Sequence, residues 1–131
     1  MANDPELLFV YGTLRPSLAT GRHAGLVHDL EVVGPATVPG VLLELGDYPG
    51  LVAGDGCVHG DLLRITDAAR LPALDAYEEC GGPEPLFRRE RMVARLGDGT
   101  AFDAWGYRYA RPQRAATIID GGDYAAHVAR R

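Results

Sequence analysis

The run Leu7-Leu8-Phe9-Val10-Tyr11 is continuous in apolar side chains and stops at Gly12. A strand with one wet face alternates polar and apolar residues. An unbroken apolar run suits a strand covered on both faces, and so a central one. The 131 residues of the chain suffice for one domain with a real core and are too few for two, so a single domain over 1–131 is expected. Gly 17 and Pro 9 are high counts for this length and point to many turns and short strands rather than a helix bundle.

The remaining segments supply the partners of that strand. Leu14 to His28, with Arg15-Pro16-Ser17, reads as a loop with a short helical turn. Strand-like segments follow at Glu31-Val32-Val33 and from Val38 to Leu45, where Pro39-Gly40 predicts a bend or bulge. Gly46-Asp47-Tyr48-Pro49-Gly50 is dense in turn signals, and Cys57 to Ile65 reads as another strand. Thr66 or Asp67 then caps a helix running to about Glu79, ended by Gly81-Gly82-Pro83. Phe87 to Leu96 and Thr100 to Tyr109, joined by Gly97-Asp98-Gly99, carry the signature of a hairpin. The segment from Asp120 to Arg131 is expected to pack only in part. The fold class that follows is α+β, a small mixed β-barrel of about five to seven strands with one principal helix.

A formal net charge of −5, spread along the chain, offers nothing like a phosphate-tracking surface, so no nucleic-acid partner is expected. Arg88-Arg89-Glu90-Arg91 is interrupted by its acid and reads as a solvated strand face. No window approaches a membrane span and the polar start Met1-Ala2-Asn3-Asp4-Pro5 lacks a leader pattern. With Cys57 and Cys80 forming neither a Cys-x-x-Cys pair nor a disulfide framework, a cytoplasmic, reduced protein without a membrane partner is expected. Cys57, His59 and Asp61 alternate along one strand and share a face, but no second cluster joins them, so no metal site is expected. His23, His28 and His127 are scattered and read as exposed, while Cys57 reads as a buried strand residue. Cys80 lies roughly opposite Glu78 on the helical wheel and is a poor candidate nucleophile.

Two local features carry chemistry. At about 100° per residue, Leu71, Leu74 and Glu78 fall on one side of the helix, with Glu78 between the leucines. A carboxylate inside an apolar stripe loses hydration, and its pKa rises toward the range useful for proton transfer near neutrality. The last turn of a helix is also where a side chain reaches solvent or pairs with an arginine, and the stripe alone leaves both roles open. The second feature is Tyr11-Gly12-Thr13-Leu14, where the buried strand ends. Past that point backbone N–H groups lose their ladder partners and can converge on a carboxylate or an oxyanion, with glycine permitting close approach. A plain strand-to-loop turn would carry the same residues.

Taken in order, the segments resemble the γ-glutamylcyclotransferase-like family, which includes plant avirulence-induced relatives and γ-glutamylamine cyclotransferases. Leu8 to Pro16 resembles its opening signature, Tyr48-Pro49-Gly50-Leu51 its second turn, and Val58-His59-Gly60-Asp61-Leu62 the strand leading to the catalytic helix. Leu74-Asp75-Ala76-Tyr77-Glu78 is similar to the segment that holds the catalytic glutamate. Phe87-Arg88-Arg89 and Ala104 to Tyr109 are similar to the closing strands. The resemblance runs from about residue 7 to 124.

The resemblance implies an enzyme that cyclises a γ-glutamyl group to 5-oxoproline and releases an amine. Its substrate would be a small γ-glutamyl molecule, and no cofactor or metal would be needed. Glu78 would be the general acid/base; Tyr11, Gly12, Thr13 and Leu14 would form the substrate cavity, and Tyr109 its opposite wall. Asp75 reads as a structural hydrogen-bonder rather than a second acid. Two positions depart from the family pattern: Glu79 stands where glycine is usual, and Phe87 where tyrosine is common. The first places like charge beside Glu78 and the second removes a hydroxyl. The competing reading is a γ-glutamyl-binding or interaction module of the same fold without turnover. Closed sheet edges in so small a chain fit a monomer or weak homodimer.

Overall fold

A computed structural model of the chain describes residues 5–16, 18, 22–46, 48–78, 80, 83, 85–111 and 117–129. The elements in chain order are β1 (Leu7–Val10), α1 (Arg22–Val27), β2 (Glu31–Glu44), β3 (Pro49–Arg64), a 3-10 turn (Ala68–Arg70), α2 (Leu71–Tyr77), β4 (Phe87–Leu96), β5 (Ala101–Tyr109), β6 (Thr117–Ile118), a second 3-10 turn (Asp120–Gly122) and α3 (Tyr124–Ala129). β1 pairs antiparallel with β3, β3 with β2, β2 with β4 and β4 with β5, and β5 returns to β1 in parallel at Leu8↔Trp105. Five strands thus close a mixed barrel, and β6 adds to β2 through Leu43↔Ile118.

β1 is buried along its whole length. Leu7, Phe9 and Tyr11 enter one core with Val38, Leu42, Leu51, Val58 and Leu62. Leu8 and Val10 enter the other, with Val27 of α1 and Leu74 of α2. The unbroken apolar run of β1 is therefore explained by a core on each face.

β2 is one strand of 14 residues rather than two pieces; Gly34-Pro35 interrupts only its register, by a shift between Val32 and Gly34. The irregularity expected at Pro39-Gly40 is present, between Pro39↔Cys57 and Val41↔Val52. The β4–β5 hairpin turns at Gly99 with φ +89°, and Asp98 Oδ1 accepts the Thr100 N–H at 2.9 Å.

The helix that carries Glu78 is shorter than its sequence pattern. Asp67 Oδ1 accepts the Ala69 N–H at 2.9 Å, which caps a 3-10 turn; α2 proper begins at Leu71 with Pro72 in its first turn. Glu78 is the C-cap, with φ −85° and ψ 5°, and its N–H bonds to the Leu74 carbonyl at 3.0 Å. Glu79 lies outside the described residues.

The cationic run on β4 is more engaged than a solvated face. Arg89 sits 4.3 Å from the Trp105 ring centre and pairs with Asp75 at 2.9 Å, and Glu90 pairs with Arg108 at 3.1 Å. Arg88 and Arg91 keep the expected exposure next to them. Cys57 is exposed, not buried, because it stands where the β2–β3 register breaks. His127 is partly buried, with Nε2 3.2 Å from a Glu44 oxygen, whereas His28 is exposed as expected. The side chain of His23 lies outside the described residues.

Candidate active site

Three short pieces of chain meet at one end of β1: the segment 11–14, the start of β3, and the end of α2. β1 leaves its partner at Val10↔Asp61. Beyond it, the N–H groups of Gly12, Thr13 and Leu14 have no backbone acceptor among the described residues. The Gly12 carbonyl takes the Arg15 N–H at 2.9 Å, so the segment turns at once.

Glycine is required at 12 by packing. A Cβ there would stand 2.8 Å from Pro49 Cγ, closer than carbon atoms approach without displacement. The segment is held from both ends. Thr13 Oγ1 and the Tyr77 hydroxyl lie 3.1 Å apart, linking it to the residue before Glu78. Arg15 reaches Asp61 of β3 at 3.1 Å and Asp123 at 3.0 Å. Asp61 is thereby paired with Arg15.

A cavity of about 310 Å³ lies between these elements, lined by Phe9, Val10, Tyr11, Gly12, Thr13, Leu14, Tyr48, Pro49, Tyr77, Glu78, Leu86, Phe87 and Tyr107. Among the described residues, Glu78 is the one carboxylic acid in that lining, and no lysine, arginine or histidine shares it. Burial alone pushes its carboxyl up to about 7. Near neutral pH it can therefore both accept and donate a proton.

The neighbouring phenols are not free acids. The Tyr11 hydroxyl donates to the Tyr107 carbonyl at 2.6 Å and accepts the Leu51 N–H at 3.2 Å. Burial, reinforced by the Glu78 charge, pushes the Tyr11 phenol far above its ordinary value. The Tyr107 hydroxyl donates to Asp75 Oδ1 at 2.7 Å, and that oxygen also takes Arg89. Burial first, then the hydrogen bond to Asp75, raises the Tyr107 phenol as well. Asp75 thus fastens α2 to β4 and β5, as a structural hydrogen-bonder. The Cys80 thiol is pushed up to about 11, chiefly by burial with help from Asp75 and Glu78, and stays protonated.

Of the residues singled out from sequence, Tyr11, Gly12, Thr13, Leu14 and Glu78 share the cavity. Tyr109 does not line it. Tyr109 pairs with Phe87 across the β4–β5 ladder and meets that ring edge-on at 5.7 Å, and Phe87 holds the lining position. The tyrosine in the wall is Tyr107, one strand repeat earlier; alternation puts 107 and 109 on the same side, so the pattern alone could not separate them. Tyr77 and Leu86 also went unassigned. Only the adjacency of Tyr77 to Glu78 could have signalled the first.

The family model described as "Gamma-glutamyl cyclotransferase, AIG2-like" matches residues 8–126. The gamma-glutamylcyclotransferase family protein ytfP of Citrobacter rodentium is 36% identical over 118 residues, 89% of this chain and 93% of that protein. A putative gamma-glutamylcyclotransferase of Vibrio cholerae is 36% identical over 125 residues, 94% of this chain and 98% of its own length. Among solved structures, protein ytfP of Escherichia coli superposes with a TM-score of 0.65 at 32% identity, covering 93% of this chain and 98% of that one. An AIG2-like protein of Mus musculus shares the fold, with a TM-score of 0.74 at 20% identity over 93% of this chain and 89% of that one. The chain belongs to the gamma-glutamyl cyclotransferase, AIG2-like family.

Proposed function

We propose that the protein converts a γ-glutamyl amide to 5-oxoproline and a free amine, with Glu78 as general acid/base. The observation that carries this reading is the placement of one carboxyl, raised to about 7, in a cavity also lined by residues 12–14, whose N–H groups have no backbone acceptor among the described residues.

The chemistry asks for little beyond those parts. The substrate holds its nucleophile and electrophile in one molecule, so the enzyme must fold it into the cyclising conformer and move protons. The N–H groups of Gly12, Thr13 and Leu14 would bind the α-carboxylate or the oxygen of the γ-carbonyl as negative charge grows there. Ionised Glu78 takes a proton from the α-ammonium. The freed nitrogen bonds to the γ-carbon, closing the ring and giving a tetrahedral centre. Glu78 then returns the proton to the departing nitrogen as its bond to that carbon breaks. The second proton of the ring nitrogen passes by way of Glu78 to the released amine, so lactam and ammonium leave and Glu78 is ionised again. Apolar walls from Phe9, Leu14, Leu86 and Phe87 limit the water that could divert this centre to hydrolysis.

The test is product identity. A γ-glutamyl amide incubated with the protein should give 5-oxoproline and amine in equal amounts with no free glutamate. Glutamate in place of the lactam would overturn the reading in favour of an amidohydrolase, and no turnover by folded protein of any member of a γ-glutamyl panel would favour a binding module.

A further inference from the structure

Segment 11–14 leaves the β1–β3 ladder at its last rung, Val10↔Asp61, and belongs to no helix or strand. Its first end is fixed by β1. Its other end is fixed by Arg15. The Arg15 N–H donates to the Gly12 carbonyl at 2.9 Å, and the Arg15 carbonyl accepts the Leu18 N–H at 2.8 Å, so this residue is the pivot of two successive turns. Its side chain, 13% exposed, then runs back to the rung that the chain has just left, where Nε donates to Asp61 Oδ2 at 3.1 Å. The chain from Val10 to Arg15 is closed in this way into a loop anchored at one residue of β3.

A second guanidinium nitrogen ties the same loop to the far end of the chain. Nη1 donates to Asp123 Oδ1 at 3.0 Å, and that oxygen also accepts the Ala126 N–H of α3 at 3.2 Å. Asp123 has little freedom of its own. Ile119 and Tyr124, on either side of it, are buried in the first core, and the Ile119 N–H bonds to the Leu42 carbonyl at 2.8 Å. Gly122, at φ +64°, lies so near β3 that a Cβ there would collide with the Cys57 carbonyl oxygen. Amides without ladder partners hold developing charge well only if their geometry is set in advance. A planar guanidinium reaches two carboxylates in different directions at once, which a lysine ammonium on its flexible stem cannot do in the same geometry.

We propose that Arg15 is a positioning residue of the site: held between Asp61 and Asp123, it sets the amides of residues 12–14, and it brings Asp123, 108 positions further along the chain, into the support of the site. This rests on the cyclotransferase reading for the task that those amides perform.

Three substitutions test it, compared at a temperature where urea curves show each protein fully folded. Arg15→Lys keeps the charge and loses the fork, and Asp123→Asn weakens one arm. His127→Gln removes a different tie of the same segment, the approach of Nε2 to Glu44 at 3.2 Å. For 5-oxoproline release, kcat/KM should fall by roughly 10- to 100-fold in the first two and stay at the wild-type value in the third. Wild-type rates in Arg15→Lys and Asp123→Asn overturn the proposal. An equal loss in His127→Gln also overturns it, because docking of the whole segment would then be the cause.

A readout independent of turnover is the set of amide resonances of Gly12, Thr13 and Leu14 in Glu78→Gln, titrated with γ-glutamylbutylamide. They should shift, and adding Asp123→Asn should raise the concentration needed several-fold. An unchanged titration overturns the positioning role. Wild type that forms no 5-oxoproline, with the titration as expected, sinks the cyclotransferase reading alone and leaves the clamp standing. If the three amides never respond to the ligand, both fail.

Discussion

The hydroxyl of Tyr11 is fixed 2.6 Å from the carbonyl oxygen of Tyr107. The Tyr11 hydroxyl in turn accepts the Leu51 N–H at 3.2 Å, so one phenol, 6% exposed, satisfies backbone groups of two strands. Tyr11→Phe leaves a buried carbonyl and a buried amide unpaired, at a cost of about 2–3 kcal/mol. Urea unfolding should show a lower midpoint at unchanged slope. An unchanged midpoint would mean that water replaces the hydroxyl.

Asp75 should act on turnover without touching substrate. Its Oδ1 takes both Arg89 and the Tyr107 hydroxyl, fixing α2, and so Glu78, relative to β5. Asp75→Asn weakens one charge-assisted bond and should cost about 1–2 kcal/mol of stability. With Glu78 less firmly placed, kcat should fall more than KM rises. An effect confined to stability would remove the positioning role.

Gly12→Ala should damage the site while sparing most of the fold. The new methyl would stand 2.8 Å from Pro49 Cγ, and relieving it moves either the amide segment or the start of β3. Overpacking of this kind costs roughly 1–3 kcal/mol. Turnover should drop by more than that loss of stability explains, because the amides of residues 12–14 shift; wild-type kcat/KM would show that the segment yields without consequence.

The raised pKa of Glu78 ties stability to pH with a definite sign. Its ordinary value is 4.5, and folded it is about 7, so between those values the folded state holds a proton that the unfolded state has released. Stability from this group is thus complete below pH 4.5 and declines as pH rises to about 7. The decline amounts to no more than ~3 kcal/mol. Chemical denaturation from pH 4.5 to 8 should show it in wild type and a flatter profile in Glu78→Gln. The rate should run the other way, rising with pH toward 7 as the ionised, proton-accepting form grows. Parallel profiles for the two proteins would mean that Glu78 is not buried as described.

What was legible in the sequence was what is local or periodic. The β1 run announced its two-sided cover, and Asp98-Gly99 announced the hairpin turn, because backbone geometry at such sites is set by the residues themselves. The apolar stripe holding Glu78 survived even though Pro72 shortened the helix, since Leu71 and Leu74 still face the second core. Less accessible were features decided by packing across the barrel. Glu31-Val32-Val33 and Val38 to Leu45 read as separate strand-like segments, but β3 carries one ladder through both. The choice between Tyr107 and Tyr109 depended on Phe87, which comes from another strand. His127 found Glu44 only because α3 folds back onto β2.

The central claim is that Glu78 moves the protons of an intramolecular cyclisation, and the direct measurement is 5-oxoproline release by Glu78→Gln beside wild type at neutral pH. Glutamine keeps the shape of the side chain and removes its proton chemistry. The account predicts a folded variant of at least wild-type thermal stability at pH 7 whose rate is lower by about 10²–10⁴-fold. A variant that forms 5-oxoproline at the wild-type rate would contradict it.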